Sequence, residues 1–264
     1  DSSYGVAGNA GAFGGIIPEL NKKGVPAVIT TDGPAGIRIR KYTSLLPCGT
    51  ALASTFNTRL VEELCSEMGK ELKNAGSNVL LAPGMNIHRN PLCGRNFEYF
   101  SEDPLLTGKM AVAFVRGIQS SGGSACPKHF ACNNQEDNRM GVDAHISERT
   151  LREIYLRGFE IAVKEGAPTA IMSSYNLING VHAANSKDLC TRIAREEWGF
   201  DGVIMSDWNT TVPEDGSIPW VCVAAGNDII MPGNPDDDKN IRDAYKEGKL
   251  TEKEIRLCAN RILK

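Results

Sequence analysis

Short apolar runs alternate with longer amphipathic stretches along almost the whole chain, and this alternation constrains the fold more than any other feature. Runs typical of buried strands lie at 25–31, 78–82, 125–128, 169–174, 203–206 and 228–231. Stretches with helical periodicity lie at 58–75, 104–120, 148–165, 188–198, 236–247 and 251–263. Repeated strand–helix units predict a parallel sheet that is covered by helices.

A parallel sheet of this kind is either closed into a barrel or open and doubly wound. No Gly-x-Gly-x-x-Gly motif follows a strand, which disfavours an open dinucleotide-binding sheet. The visible strands are fewer than a closed barrel needs. We therefore predict an α/β fold of the TIM-like (β/α)8 type that is irregular or incomplete. No linker divides residues 1–264, so a single domain is expected, with a flexible glycine-rich lead-in at 5–15.

Charge and cysteine content exclude several classes of partner. The net charge is −3 without a basic stripe, so no nucleic acid is expected. No apolar run approaches the roughly 20 residues of a membrane span. The 8 cysteines are scattered without a Cys-x-x-Cys pair, which predicts free thiols, no metal site and a reducing, cytoplasmic location. Secretion after removal of a signal peptide stays open.

Polar side chains follow five of the predicted strands at the same end. They are Asp32 with Arg38, then Arg95, then Lys128 with His129, then Tyr175, and finally Asp207 with Trp208. Since the carboxyl ends of parallel strands meet on one face of a barrel, these residues are predicted to form one site. The simpler alternatives are that Asp207 caps a following helix and that the other residues form surface ion pairs.

The residue types in this set suit a sugar. Carboxylates accept hydrogen bonds from hydroxyl groups, Arg and Lys donate to them, and an indole face stacks on a pyranose ring. Neighbouring Arg, Lys and hydroxyl donors are expected to lower the pKa of Asp207. A Schiff-base role for Lys128, as in aldolase-type lyases, is a weaker alternative because the nearby acids Glu136 and Asp137 favour its charged form.

Several short motifs occur in the order found in glycoside hydrolase family 3, and the chain resembles the β-glucosidase-like branch of that family. The motifs lie at 32–34 with Arg38, 94–98, 101–104, 128–130, 147–149, 174–176 and 206–208. The resemblance implies a retaining exo-acting β-glucosidase that acts on β-glucosides or cello-oligosaccharides without a cofactor, with Asp207 as nucleophile. It further implies that the terminal sugar is bound by Asp32, Arg38, Arg95, Lys128, His129, Arg139 and Tyr175, with Trp208 shaping the pocket.

The same resemblance assigns the catalytic acid/base to a Glu on a following α/β sandwich domain, which these residues do not include. It therefore implies that such a domain is supplied in cis or by a partner chain. Asp143 and His145 resemble the Asp–His pair of another branch of the family, so an N-acetylhexosaminidase is the alternative. A catalytically incomplete carbohydrate-binding fragment is the alternative from a different class.

Overall fold

The fold is described from a computed structural model, in which residues 4–264 are described. The strands are β1 (Gly11–Gly14), β2 (Ala27–Asp32), β3 (Val79–Leu81), β4 (Ser124–Ala125), β5 (Lys128–Phe130), β6 (Asp143–Ala144), β7 (Ala170–Ser173), β8 (Leu177–Ile178), β9 (Val181–His182) and β10 (Val203–Met205). Most of them coincide with the predicted apolar runs, although the run at 125–128 is divided between β4 and β5.

Helices lie between these strands and after the last of them. They are α1 (Pro18–Asn21), α2 (Gly49–Ala53), α3 (Thr58–Asn74), α4 (Pro104–Ser120), α5 (Glu148–Thr150), α6 (Arg157–Ile161), α7 (Pro219–Ala225), α8 (Pro235–Lys246) and α9 (Glu252–Leu263). π-Helical turns at Leu151–Tyr155, Ala162–Gly166 and Asp188–Glu197, and a 3₁₀ turn at Ala183–Asn185, complete the helical segments. Local caps fix two of the helix starts: the side chain of Asp103 accepts from Leu105 N, and Thr251 with Glu254 forms a capping box.

Two sheets make up the centre of the fold. One has the order β1–β2–β3–β4 and the other β10–β7–β5, with parallel pairing everywhere except between β1 and β2. Backbone hydrogen bonds from Lys128 N to Pro83 O and from Met85 N to Lys128 O join the two sheets. The sheets of residues 4–264 do not close. The structure is therefore a mixed α/β fold, and no complete (β/α)8 barrel is formed within these residues.

The glycine-rich lead-in contains an ordered strand, so the prediction of a flexible segment at 5–15 is wrong. β1 pairs antiparallel with β2, Gly11 lying opposite Thr30 and Gly14 opposite Ala27. Gly14 has a φ of +73°, and a Cβ there would lie 2.8 Å from Pro26 O, so only glycine fits. Glycine carries no side chain to show strand alternation, which hides this strand from sequence patterns.

The strands bury side chains on both faces. Leu80, Ile171 and Ile204 contribute to a large outer core beneath the helices. Their neighbours Leu81, Met172 and Met205 belong to a smaller cluster on the other side, together with Val79, Cys126, Ala170 and Met231. Because successive residues of a strand point to opposite faces, such strands are apolar throughout. This small cluster packs the interior behind the strand ends that carry the candidate site.

All the cysteines are free; Cys48 is half-buried and the others are buried. Among the described residues, no helix is both long and apolar enough to cross a lipid bilayer.

A buried carboxylate fixes the last strand. The Asp228 side chain is 0% exposed; its Oδ2 accepts from Arg195 Nη2 at 2.7 Å and from Ile204 N at 2.8 Å, and its Oδ1 accepts from Arg261 Nη1 at 2.9 Å. These bonds connect β10 to α9 and to the π-helical segment at 188–197. Since β10 leads directly into Asp207, Asp228 holds the strand that presents the candidate site.

Asp228→Asn should destabilise the protein by about 3–5 kcal/mol, because the largely buried side chain of Arg195 and the half-buried side chain of Arg261 would lose their counter-charge. Urea unfolding measures this change. Asp243→Asn is the matched control: its carboxylate pairs with Lys239 and Lys246 on the surface, so its loss should stay within about 0.5 kcal/mol. Equal losses in the two variants would contradict the structural role of Asp228.

Candidate active site

Asp207 lies just beyond β10 and is almost fully enclosed, its side chain being 9% exposed. Oδ1 accepts a hydrogen bond from Trp208 N at 2.7 Å. Oδ2 is buried and no hydrogen bond to it is formed among the described residues, although the Tyr175 hydroxyl is close enough to lower the pKa of this carboxyl group; His129 Nε2 lies 3.6 Å from Oδ2. No helix begins at Asp207, since the next one is α7 at Pro219, so the helix-cap alternative is wrong. One carboxylate oxygen is thus left for a ligand or a reacting atom.

The electrostatic environment of Asp207 differs from the sequence expectation. Burial raises its pKa, and this effect outweighs the lowering by Trp208 N–H, Lys128, Arg95 and Tyr175. The expected lowering of the pKa is therefore wrong in direction. The donors were identified correctly, but the extent to which the fold removes the carboxylate from water was not visible in the sequence.

Asp32 joins two cations of very different exposure. Its Oδ1 accepts from Lys128 Nζ at 3.2 Å, and its Oδ2 accepts from Arg38 Nη2 at 2.7 Å. The Lys128 side chain is 5% exposed, whereas that of Arg38 is 78% exposed. Asp32 therefore anchors the buried ammonium group of Lys128 firmly, while Arg38 lies at the surface.

Arg95 and Glu98 form a second ion pair beside the first. Arg95 Nε donates to Glu98 Oε1 at 2.5 Å, and both side chains are largely buried. A cleft of about 430 Å³ is lined by Asp32, Arg38, Arg95, Glu98 and Lys128 together with the apolar side chains of Leu45 and Phe97. Asp207 does not line this cleft, but Lys128 and Arg95 are close enough to lower its pKa.

His129 lies between Asp207 and a set of buried polar groups. Its Nδ1 is 3.2 Å from Tyr99 Oη and 3.3 Å from Asn86 Oδ1. Its main-chain N–H donates to Asn86 Oδ1, and its carbonyl accepts from Asn86 Nδ2, both at 2.8 Å. Burial lowers the pKa of His129 well below its usual value, and the charges of Arg95, Lys128 and Arg139 lower it further. The imidazole is therefore neutral near pH 7.

Arg139 and Tyr175 stack on each other at the same site. The Arg139 guanidinium carbon lies 4.7 Å from the centre of the Tyr175 ring, and Nη1 donates to Glu136 Oε2 at 2.9 Å. Burial raises the pKa of Tyr175, and the Asp207 charge adds to this effect. The phenol therefore keeps its proton and can donate a hydrogen bond.

Trp208 points away from the cleft. Its ring lies about 3.5 Å from where a Cβ on Gly11 would stand, and it lines a separate cavity of about 220 Å³ with β1 and residues 229–232. The structure thus gathers Asp32, Arg95, Lys128, His129, Arg139, Tyr175 and Asp207 around one place, with Arg38 at its surface and the Trp208 ring in the neighbouring cavity.

Three buried residues of this site were not identified from the sequence: Asn86, Tyr99 and Asn133. Asn86 lies between two buried apolar residues, Met85 and Ile87, in the loop after β3, and this pattern of a polar residue between apolar ones could have indicated a buried polar contact. Tyr99 and Asn133 have no such signal, because a buried tyrosine or asparagine is ordinary in any core loop.

The Asp143–His145 pair lies in another place. His145 Nε2 is 3.5 Å from Asp143 Oδ2, and the His145 side chain is 82% exposed. The pair lines a cavity of about 380 Å³ that shares no lining residue with the cleft beside Asp32. Within residues 4–264, no group of three or more His, Cys, Asp and Glu side chains is arranged to hold a metal ion.

Comparison with known proteins gives a consistent result. Residues 17–264 match the glycosyl hydrolase family 3 N-terminal domain. A β-glucosidase of Ruminococcus albus is 46% identical to this chain; the match covers 97% of this chain and 28% of that protein. β-Glucosidase A of Butyrivibrio fibrisolvens is 52% identical, and the match covers 85% of this chain and 27% of that protein. The structure of β-glucosidase 3B from Thermotoga neapolitana in complex with glucose superposes with a TM-score of 0.91 at 49% identity, covering 98% of this chain and 37% of that one. The chain therefore spans between 27% and 37% of the length of these relatives.

Asp207→Asn should stabilise the folded protein near pH 7. The raised pKa means that the folded state binds the Asp207 proton more tightly than the unfolded chain does. Ionisation of Asp207 therefore lowers the free energy of unfolding as pH rises from about 3.9, the pKa in the unfolded chain, through the pKa in the folded protein. The gain in the variant should be largest above that window and should shrink towards pH 3. Urea unfolding at several pH values measures it; a net loss of stability at pH 7 would contradict the dominance of burial.

Proposed function

Since the chain belongs to glycosyl hydrolase family 3, we propose that it carries the sugar-binding half of a retaining, exo-acting β-glucosidase that removes terminal non-reducing β-D-glucosyl residues. The observation that carries this proposal is the buried Asp207 Oδ2, which has no hydrogen-bond partner among the described residues and lies beside neutral and cationic donors. The names of the relatives and the glucose complex of the Thermotoga neapolitana enzyme support a β-glucosyl substrate.

In this proposal Asp207 is the nucleophile. Its Oδ2 attacks the anomeric carbon as the bond from that carbon to the leaving oxygen breaks, which gives a covalent glycosyl-enzyme. The Trp208 N–H holds Oδ1, so the other oxygen is oriented for attack. Lys128 and Arg95 favour the ionised form that a nucleophile requires, against the effect of burial. Water then releases the sugar with retained configuration.

The remaining residues bind the hydroxyl groups of the terminal sugar. Asp32 accepts hydrogen bonds, and Lys128, Arg95, His129, Arg139 and Tyr175 donate them. Arg38 neutralises Asp32 at the surface of the cleft. The main-chain N–H of Trp208 holds Asp207, and the Trp208 ring lines the adjacent cavity.

The proton for the leaving oxygen needs a second carboxyl group, about 5 to 5.5 Å from the nucleophile. Within residues 4–264, the glutamates of the site are both engaged: Glu98 is bonded to Arg95 and Glu136 to Arg139. A carboxylate held by a guanidinium has no proton to donate. We therefore assign the acid/base to a further domain, in cis or on a partner chain. The exposed Asp143–His145 pair lines a different cavity and gives the hexosaminidase alternative no support.

Asp207→Asn should reduce kcat for an aryl β-glucoside by about 10³-fold or more in the full-length protein, because the amide cannot form the glycosyl ester. A 2-deoxy-2-fluoro glucoside with a good leaving group should become attached to Asp207 in the unmodified protein, which peptide mass mapping would locate. Asp243→Asn, far from the cleft, should retain full activity. A sugar-binding fragment without turnover would bind glucose but release no aglycone from any aryl glycoside.

Asp32→Ala should act mainly on sugar binding. Losing an acceptor that is also the counter-charge of buried Lys128 should lower kcat/KM by about 10²-fold and raise KM. Steady-state kinetics and glucose inhibition measure the two effects separately. A fall in kcat with unchanged KM and unchanged glucose inhibition would show that Asp32 does not hold the sugar.

A further inference from the structure

The two ring nitrogens of His129 face different surroundings, and a neutral imidazole carries only one N–H. Nδ1 faces Tyr99 Oη at 3.2 Å and Asn86 Oδ1 at 3.3 Å, while Nε2 faces Asp207 Oδ2 at 3.6 Å. The position of the single proton decides whether His129 presents a donor or an acceptor to Asp207 and to the sugar. Neighbouring groups whose own protons are fixed can determine that position.

A chain of hydrogen bonds that starts at Glu136 fixes the direction of each donor. A carboxylate that is paired with Arg139 only accepts, so the Asn133 atom 3.4 Å from Glu136 Oε1 is the amide nitrogen. The same Nδ2 lies 2.9 Å from Tyr99 Oη and donates to it. Tyr99 is 0% exposed, and burial raises its pKa, so it keeps its own proton. Of the described atoms that bond Tyr99 Oη, His129 Nδ1 is the one left to accept that proton.

The opposite arrangement would place the proton on Nδ1 and direct it to Asn86 Oδ1. That oxygen already accepts the main-chain N–H of His129 at 2.8 Å, and its second lone pair can accept Nδ1–H as well, so the cost of this arrangement lies at the other groups. The Tyr99 proton would then have no acceptor, and a nitrogen lone pair would face Asp207 Oδ2, which no described residue bonds. Each unpaired buried group costs about 1–3 kcal/mol. The hydrogen bonds therefore favour a proton on Nε2.

We propose that Tyr99 is a positioning residue that holds His129 in the Nε2–H form, so that His129 turns an N–H rather than a lone pair towards Asp207 Oδ2, 3.6 Å away, and can donate this N–H to a hydroxyl group of the bound sugar. The part of this proposal that concerns the sugar rests on the proposed function. The part that concerns the imidazole does not, because it follows from the contacts among Glu136, Asn133, Tyr99 and His129.

Nitrogen-15 NMR of the histidine-labelled full-length protein reads the imidazole directly. In the unmodified protein, His129 should show a protonated Nε2 and an unprotonated Nδ1, its signals being identified by their loss in His129→Gln. Tyr99→Phe should move a large share of the proton to Nδ1. Tyr155→Phe is the matched control, since Tyr155 is also buried and accepts a bond from Arg89 away from the cleft; it should leave the His129 signals unchanged. A proton on Nδ1 in the unmodified protein overturns the proposal.

A panel of monodeoxy aryl β-glucosides separates positioning from packing. Tyr99→Phe should lower kcat/KM for the parent glucoside by about 10- to 100-fold, as expected for loss of one oriented hydrogen bond in a buried site. On the analogue that lacks the hydroxyl bound by His129, the same substitution should change kcat/KM by less than about 2-fold. An equal loss on every analogue would mean that Tyr99 only fills space, and the proposal would be wrong. If the unmodified protein hydrolyses no β-glucoside, the proposed function fails, and the NMR result still decides the form of His129.

Discussion

The site depends on keeping one carboxylate buried and available. Asp207 is removed from water at the end of β10, which raises its pKa, while the Trp208 N–H bonds Oδ1 and the Tyr175 hydroxyl is close enough to lower that pKa. Burial of a charge is costly unless opposite charges and donors surround it. Lys128, Arg95 and Tyr175 supply that environment.

The other carboxylates around Asp207 are each paired with a cationic side chain. Asp32 engages Arg38 and Lys128, Glu98 engages Arg95, and Glu136 engages Arg139. Each carboxylate therefore has a cation, while Asp207 Oδ2 is left unbonded within the described part of the chain. Behind this layer, Asp228 bonds the main chain of β10, the strand that leads into Asp207. Neutral His129 and its buried partners set the direction of the donors without adding charge.

Sequence patterns predicted which polar side chains lie close together better than they predicted the physical state of those side chains. The strand ends were identified because apolar runs stop at polar residues, and parallel pairing then brings Asp32, Lys128 and Asp207 to one face. Three features were not predictable in this way: the strand at Gly11–Gly14, the direction of the Trp208 ring and the raised pKa of Asp207. The strand contains two glycines, which have no side chains to show the alternation of a strand. The direction of the Trp208 ring and the pKa of Asp207 depend on which distant segments pack beside them.

The sequence by itself determined the strand–helix alternation and the order of the motifs, because both are local: apolar spacing and short residue strings are read without knowing what they contact. It thereby indicated the family and the set of residues at the strand ends. Only the tertiary structure decided that the sheets of residues 4–264 stay open and that Asn86, Tyr99 and Asn133 surround His129. Burial and hydrogen-bond direction arise from segments far apart in the chain, so they exist only once those segments have packed together.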